Sequence, residues 1–242
     1  MNPVLLLLLD SRAPTGAHNH SSGMEVAVSQ GLVAGLEDVE EFCRARLRTS
    51  GQVAAAFAAA ACGLQRGSGA GPAARGPGAA APPALAGEWA RLDAEFDART
   101  PSEAMRAASR QLGGGLRRLL RSILPDTDLR TPWARCAAPA PHHPLVLGAG
   151  VALAGGPPGL AALAAALAAC SGPASAAVRL LGLDPFAVQA MLARLAPVID
   201  DCAAVAAQSA AAPLRSLPCA GAPALDLLAD FHLTAEVRLF AS

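Results

Sequence analysis

Apolar residues recur at helical spacing through most of this chain, and they alternate with polar residues only near its C-terminal end. Within 36–48, for example, Leu36, Val39 and Cys43 fall on one stripe of a helix. A stripe that repeats every three to four residues is the face that a helix buries against a core. The pattern therefore predicts an all-α protein, a single domain over 1–242 built as an irregular bundle of about eight to ten helices.

Turn residues and capping residues place the ends of the predicted helices. Ser22 with Glu25, and Thr100 with Glu103, have the spacing of capping boxes. The glycines Gly113–Gly115 inside a helical pattern indicate either a break or a close helix crossing. Helices are predicted over 4–9, 24–33, 36–48, 52–64 and 224–234, and others are predicted to begin at Glu88, at Pro101 and at Pro185, with the one from Pro101 stopping at Pro125.

Two segments fall outside the helical pattern. Residues 66–87 are mostly Gly, Ala, Pro and Ser, a composition that cannot offset the entropy lost on ordering. We therefore predict a flexible Gly/Ala/Pro insertion there, to which we assign no function. Residues 236–242 alternate between apolar and polar, which predicts an extended C-terminal tail.

Composition and charge narrow the class of partner. The 19 Lys and Arg residues balance the 19 Asp and Glu residues, so the net charge is zero. Nucleic acids and anionic membrane surfaces attract clustered Lys and Arg, so neither is expected as a partner. The 6 cysteines include no Cys-x-x-Cys pair and no zinc-ligand spacing, which is typical of free thiols in a reducing compartment.

Two apolar stretches raise the question of export or membrane insertion. The run Val4–Leu9 has no basic residue before it and is followed at once by Asp10, unlike a signal peptide. The stretch 145–170 is divided by Gly155–Gly159, and each half is expected to be shorter than the ~20 residues that a membrane span requires. We therefore expect a cytoplasmic protein without a membrane-spanning helix.

The histidines are the first candidates for chemistry. His18 and His20 lie in a predicted loop and offer two imidazoles to a divalent metal. Two ligands do not make a tight site, so a solvated or hydrogen-bonded loop histidine is the favoured interpretation and a metal contact the alternative. His142 and His143 lie in a Pro-rich connection, where helix capping explains one of them as well as a metal does.

Catalytic motifs are the second candidates. Asp10, Ser11 and His232 are the residue types of a hydrolytic triad, but no Gly-x-Ser-x-Gly motif surrounds any serine. The chain also lacks the Gly-x-x-x-x-Gly-Lys-Ser/Thr loop that binds nucleotide phosphates. A helical hydrolase is therefore the least favoured interpretation.

Five short motifs follow one another along the chain. They comprise Asp10–Ala17 with His20, Ser21 and Gly23–Glu25; Glu103, Arg106, Ala108, Ser109 and Gly113; His143–Val146 with Gly148; Arg179–Leu181 with Leu183 and Gln189; and Asp226, His232 and Glu236 with Arg238–Phe240 and Ser242. In this order they resemble the motifs of the urease accessory protein UreF family. The chain departs from the family pattern at Ala17, where the family often has an aromatic, and at Pro185, where it often has a glutamine.

The resemblance implies an all-helical protein without catalysis of its own. Members of the family bind the accessory protein UreD, also called UreH, and the GTPase UreG, often as a homodimer, and help to insert nickel into apo-urease. No cofactor is expected to bind tightly, because nickel is handled by the complex. The alternative is a direct nickel-binding metallochaperone that uses His18 and His20.

The resemblance also suggests which residues contact partners. The tail is expected to dock UreD, through Arg238, Leu239, Phe240 and Ser242. Further candidates for partner or dimer contacts are Asp10, Arg12, His20, Glu25, Arg179 and Gln189.

Overall fold

The computed structural model describes residues 2–10, 12–68, 83–124, 140–234 and 239–240. Across these ranges the chain is helical, with two short 3-10 turns and no strand, which confirms the all-α prediction. The helices are α1 (Pro3–Leu9), α2 (Met24–Ser29), α3 (Leu36–Arg48), α4 (Ser50–Gly67), α5 (Pro83–Ala98), α6 (Glu103–Ile123), α7 (His143–Leu153), α8 (Pro158–Leu181), α9 (Pro185–Ser209) and α10 (Pro223–Thr234).

Helix α4 lies at the centre of the bundle and packs against α7, α8 and α9. Its Ala-rich sequence permits this, because small side chains let helix backbones approach closely. The closest approach is to α7, where a Cβ on Gly148 would lie 2.1 Å from the carbonyl oxygen of Ala58 and 2.9 Å from the backbone nitrogen of Cys62. No side chain fits at position 148, so this glycine sets the distance between α4 and α7.

Helix α6 runs without a break through Gly113–Gly115. Of the two predicted explanations for these glycines, a close crossing is therefore correct. A Cβ on Gly113 would lie 2.0 Å from the carbonyl oxygen of Pro141. A Cβ on Gly115 would lie 2.2 Å from the carbonyl oxygen of Thr15. The two glycines therefore admit the segment before α7 and the loop after α1 onto the surface of α6.

Both predicted capping boxes are wrong in detail. Helix α6 begins at Glu103 with Ser102 as its N-cap, whose hydroxyl accepts a hydrogen bond from Met105 N. Thr100 lies two residues before this N-cap, and its hydroxyl donates to the carbonyl oxygen of Phe96 in the preceding helix. At α2 the N-cap is Gly23, which makes no side-chain capping bond.

The prediction that both apolar halves of 145–170 are too short for a span is wrong for the second. Helix α8 has 24 residues, with a mean hydropathy of 1.6 over its most apolar window, of which 56% is buried. Pro158 sits in its first turn, where a missing N–H is tolerated, and the helix continues past Pro173. By length and composition α8 is the one helix of the described ranges that can span a membrane. Its packing between α3, α4 and α9 is that of a core helix.

Other helix ends differ from the predicted ones by a few residues. Helix α2 ends at Ser29, short of the predicted 33, whereas α4 extends to Gly67 and α5 begins at Pro83, both inside the predicted insertion. The rest of that insertion, residues 69–82, lies outside the described residues, as does the predicted stop at Pro125. Of the cysteines that are described, Cys219 is exposed and the others are buried, and all are free thiols; these are Cys43, Cys62, Cys170, Cys202 and Cys219.

We predict that Gly148→Ala destabilises the protein by ~3 kcal/mol, because the added methyl must push α4 and α7 apart. The matched control is Gly63→Ala on α4, where a Cβ meets nothing within 4 Å. That control should gain ~0.5–1 kcal/mol, the usual difference between glycine and alanine in a helix. Urea denaturation followed by far-UV circular dichroism measures both. Similar stabilities for the two variants would contradict the packing account.

Candidate functional site

The described part of the C-terminal tail is bound to α2 through its backbone. Leu239 N donates to Glu25 Oε1 at 2.6 Å, and Phe240 N donates to Glu25 Oε2 at 3.2 Å. The Phe240 ring is buried, at 5% exposed, while the Leu239 side chain is 72% exposed. One carboxylate thus holds two successive amides and leaves the side chain between them facing outward.

Arg179, near the C-terminal end of α8, completes this contact. Its guanidinium carbon lies 4.2 Å from the centroid of the Phe240 ring, within the range of a cation–π interaction. Its Nη2 donates to the backbone oxygen of His18 at 2.9 Å. We call Glu25, Arg179, Leu239 and Phe240 the tail anchor. It joins α2, α8, the 17–19 turn and the tail in one place.

The local backbone explains how Glu25 reaches the tail. Ser22 has φ 56° and Gly23 has φ 89°, so two successive residues are left-handed at the entry to α2. Such a turn reverses the chain direction sharply, and glycine is the residue that adopts it without strain. Glu25 then lies in the first turn of α2.

Within the described ranges, Asp10, Arg12 and Gln189 have no contact with the tail anchor. Asp10 and Arg12 form a local ion pair at 2.7 Å. The hydrogen bonds from Arg12 lower the pKa of Asp10 to about 2. Gln189 is exposed on α9, and no contact between described residues links it to the tail anchor. Arg238 and Ser242 lie outside the described residues, as do Ser11 and the side chain of His232.

The two loop histidines have different environments. His18 is exposed, whereas His20 is buried at 5% exposed and lines a cavity together with His143. Burial, reinforced by the nearby His20, lowers the pKa of His143 to about 4. Among the described residues no group of three or more His, Cys, Asp or Glu is placed to hold a metal ion.

A buried polar network around His142 was not predicted. His142 is fully buried, and its Nε2 lies 2.8 Å from Asp97 Oδ1 while its Nδ1 lies 3.1 Å from Ser109 Oγ. Because a carboxylate only accepts hydrogen bonds, the ring proton belongs on Nε2 and the Ser109 hydroxyl donates to Nδ1. Arg110 binds the same Asp97 at 2.8 Å and Asp93 at 3.0 Å. The adjacent pair His142 and His143 stood out in the sequence. The partners of His142 could not be found from it, because they lie on other helices, α5 and α6.

This network ties α5, α6 and the start of α7 together. Burial lowers the pKa of His142, against the opposing effect of Asp97. Burial alone would raise the pKa of Asp97, but hydrogen bonds from His142 and Arg110 outweigh it and leave that pKa lowered. The network therefore favours a neutral imidazole beside an ionised carboxylate, an arrangement that fixes the position of α7 relative to α5 and α6.

The cavity that contains His20 and His143 lies between the loop 17–23 and helices α4, α6, α8 and α10. Its volume is about 230 Å³. Most of its wall is apolar, including Val53, Met105 and Leu225. Three charged residues also line the cavity: Arg46, Arg99 and Asp226.

Comparison with known proteins identifies relatives over nearly the whole chain. The UreF family model matches residues 33–196. The chain is 45% identical to the urease accessory protein UreF of Mycolicibacterium vanbaalenii over 240 residues, which is 98% of this chain and 97% of the relative. It is 42% identical to that of Mycobacterium marinum and 40% identical to that of Mycobacterium tuberculosis, in both cases over 239 residues, 99% of this chain and 98% of the relative.

We predict that His143 makes the protein less stable in acid. Its folded pKa of about 4 lies below the ordinary value of 6.5, so between those values the unfolded chain binds the proton more readily. Stability should therefore fall as the pH drops, by ~2 kcal/mol between about pH 7 and about pH 5. Urea denaturation at the two pH values measures the loss.

His143→Gln should lose that part of the pH dependence, whereas His18→Gln, at an exposed position, should keep it. Carboxylates titrate in the wild type and in both variants. Only the difference in the pH dependence of stability between His143→Gln and the other two proteins is therefore assigned to His143. An unchanged slope in His143→Gln would contradict the assignment.

Proposed function

The chain belongs to the UreF family of urease accessory proteins, and we propose that it is a non-catalytic scaffold that binds UreD (UreH) and the GTPase UreG and assists nickel insertion into apo-urease. The observation that carries the proposal is the similarity at 40–45% identity over nearly the full length of relatives that bear the UreF name. We propose that it works in the cytoplasm.

The tail anchor supports a docking role for the C-terminal segment. A free extended terminus loses conformational entropy when a partner orders it, which weakens binding. Here Glu25 and Arg179 already hold the backbone and the Phe240 ring. The exposed Leu239 is therefore presented on a preordered backbone.

Helix α10 adds apolar surface on the same side of the molecule, because it packs against α2. Leu227 and Phe231 lie one helical turn apart and are 58% and 59% exposed. Exposed apolar and aromatic side chains of this kind are what the buried centre of a protein interface contains. We propose that Leu227, Phe231 and Leu239 form the surface that docks UreD, and we call these three residues the docking surface.

The remaining predicted contacts are proposed for other partners. Asp10, Arg12 and Gln189 are distributed over other parts of the surface and serve, on this proposal, the contacts with UreG, with apo-urease or with a second copy in a homodimer. His20 is buried, so it would act on a partner only through the loop that it holds in place.

We expect Leu239→Ser to weaken binding to UreD about 10-fold, or ~1.4 kcal/mol, because it removes an exposed apolar contact while leaving the backbone bonds to Glu25 in place. Co-purification and calorimetry with UreD measure the effect. Val205→Ser is the matched control, since Val205 is 48% exposed on α9 outside the docking surface.

Phe240→Ala should weaken binding by a similar factor for a different reason, since it frees the tail while keeping Leu239. Far-UV circular dichroism checks that all variants fold. Wild-type affinity in both tail variants would show that the tail is not the docking element. Failure of the wild-type protein to bind UreD at all would refute the scaffold proposal itself.

The metallochaperone alternative is tested by nickel calorimetry on the isolated protein. A carrier requires micromolar affinity or better, ~8 kcal/mol. On the scaffold proposal we expect no such binding, and no difference between the wild type and the double variant His18→Ala/His20→Ala. Micromolar binding that the double variant loses would favour the alternative.

A further inference from the structure

Arg46 is a buried cation without a carboxylate partner. Arg46 is 9% exposed and lies on the inner face of α3. Nε donates to the backbone oxygen of Ala169 and Nη1 to that of Ser22, each at 3.0 Å. Both acceptors are neutral, and no carboxylate among the described residues pairs with this guanidinium.

Two other arginines near the core, unlike Arg46, form ion pairs with carboxylates. Arg99 pairs with Glu95, and Arg110 pairs with Asp93 and Asp97. Burying an ion without a counter-ion is costly, and buried charges in folded proteins are normally paired. Desolvation accordingly lowers the pKa of Arg46, and the opposing effects come from thiols, those of Cys43 and Cys170. The wall that carries Arg46 therefore lacks an anion.

The surroundings of Arg46 suit an anion for a second reason. Helix α4 begins beside it at Ser50, and Thr49 supplies no side-chain capping bond, so the first amides of an 18-residue helix lack that acceptor. Ser50 Oγ is buried and has no hydrogen-bond partner among the described residues. The start of a helix carries partial positive charge and exposed N–H donors, which favour an anion. Arg46, Ser50 and Gly51 all line the cavity described above.

The rest of the cavity suits an apolar group. Val53, Ala104, Met105 and Leu225 line it, and its volume is about 230 Å³. The other charged groups on its wall are already engaged: Arg99 pairs with Glu95, and Asp226 accepts a hydrogen bond from the backbone of Ser102. A ligand here would meet a mainly apolar surface on which Arg46 is the cation without a carboxylate partner, with His20 and His143 as further polar groups and with Arg99 Nε buried without a hydrogen-bond partner among the described residues.

We propose that this cavity binds a small organic monocarboxylate, with its carboxylate at Arg46 and the start of α4 and its short hydrocarbon chain against Val53, Met105 and Leu225. The anion supplies the charge that Arg46 lacks, and the chain fills apolar space. This site shares no residue with the docking surface, although α10 contributes to both, and it goes beyond the proposed scaffold function.

The test uses hexanoate as the probe and hexanol as its neutral counterpart, on the full-length protein. Isothermal titration calorimetry should show saturable binding of hexanoate at least 10-fold tighter than that of hexanol. With ¹³C-methyl-labelled methionine, hexanoate should shift the methyl resonance of Met105 on the cavity wall and leave that of Met191, in the core on α9, unchanged.

Arg46→Met keeps an unbranched apolar stem but removes the guanidinium and its charge, so hexanoate should bind it no better than hexanol does. Arg46→Lys should retain part of the preference for hexanoate. Arg48→Met is the matched control, because Arg48 is exposed two residues along α3 and is absent from the cavity wall. It should bind hexanoate like the wild type.

Two results would overturn the proposal without any variant: equal binding of hexanoate and hexanol by the wild type, or no shift of the Met105 methyl at saturating hexanoate. Undiminished hexanoate binding by folded Arg46→Met would overturn it as well.

Discussion

The structure depends on close contact between helix backbones around α4. Gly148 lets α7 approach α4 so closely that the Cα of Gly148 faces the Ala58 carbonyl. The alanines of α4 extend this close contact toward α8 and α9. The core around α4 therefore combines backbone proximity with large buried side chains such as Phe57 and Trp89. Dispersion contacts between closely packed backbones are individually small and add up over the length of a helix. The arrangement leaves little tolerance for added volume at these interfaces.

Close packing at the centre leaves polar groups to fix the outer elements. The His142 network positions α7 against α5 and α6, and the tail anchor fixes the C-terminal segment on α2 and α8. These contacts join residues far apart in sequence, such as Glu25 and Phe240. Directional hydrogen bonds suit this task because they define a unique geometry where small apolar residues would permit sliding.

Local patterns predicted most of the helices, and long-range contacts account for what was missed. The bounds of α3 were predicted as the structure has them, and a helix does begin at Pro185. The N-cap of α6 was misplaced because the helix begins two residues later, after Ser102, whose hydroxyl also donates to Asp230 on α10, a long-range contact that spacing does not reveal. The break at Gly155–Gly159 was predicted correctly, but the second apolar half was taken only to Cys170, whereas α8 continues through Gly172 and Pro173 to Leu181 along α4.

The candidate site was predicted less completely than the fold. The family motifs pointed to Glu25, Arg179, Leu239 and Phe240 as separate contact residues, and the structure brings them together. Nothing local to these residues indicates that Glu25 accepts two backbone amides, because the pairing spans almost the whole chain. Arg46 carried no sequence signal at all: its position on the apolar side of α3 became informative only once its neighbours were seen to be neutral.

The bond between Glu25 and the tail is made to main-chain N–H groups, which every residue except proline possesses. Position 239 can therefore change its side chain in evolution without loosening the attachment of the segment. If the proposed docking role holds, the outward-facing group at 239 can change together with a partner surface, while attachment of the segment depends on an acidic residue at 25, an arginine at 179 and an aromatic ring at 240.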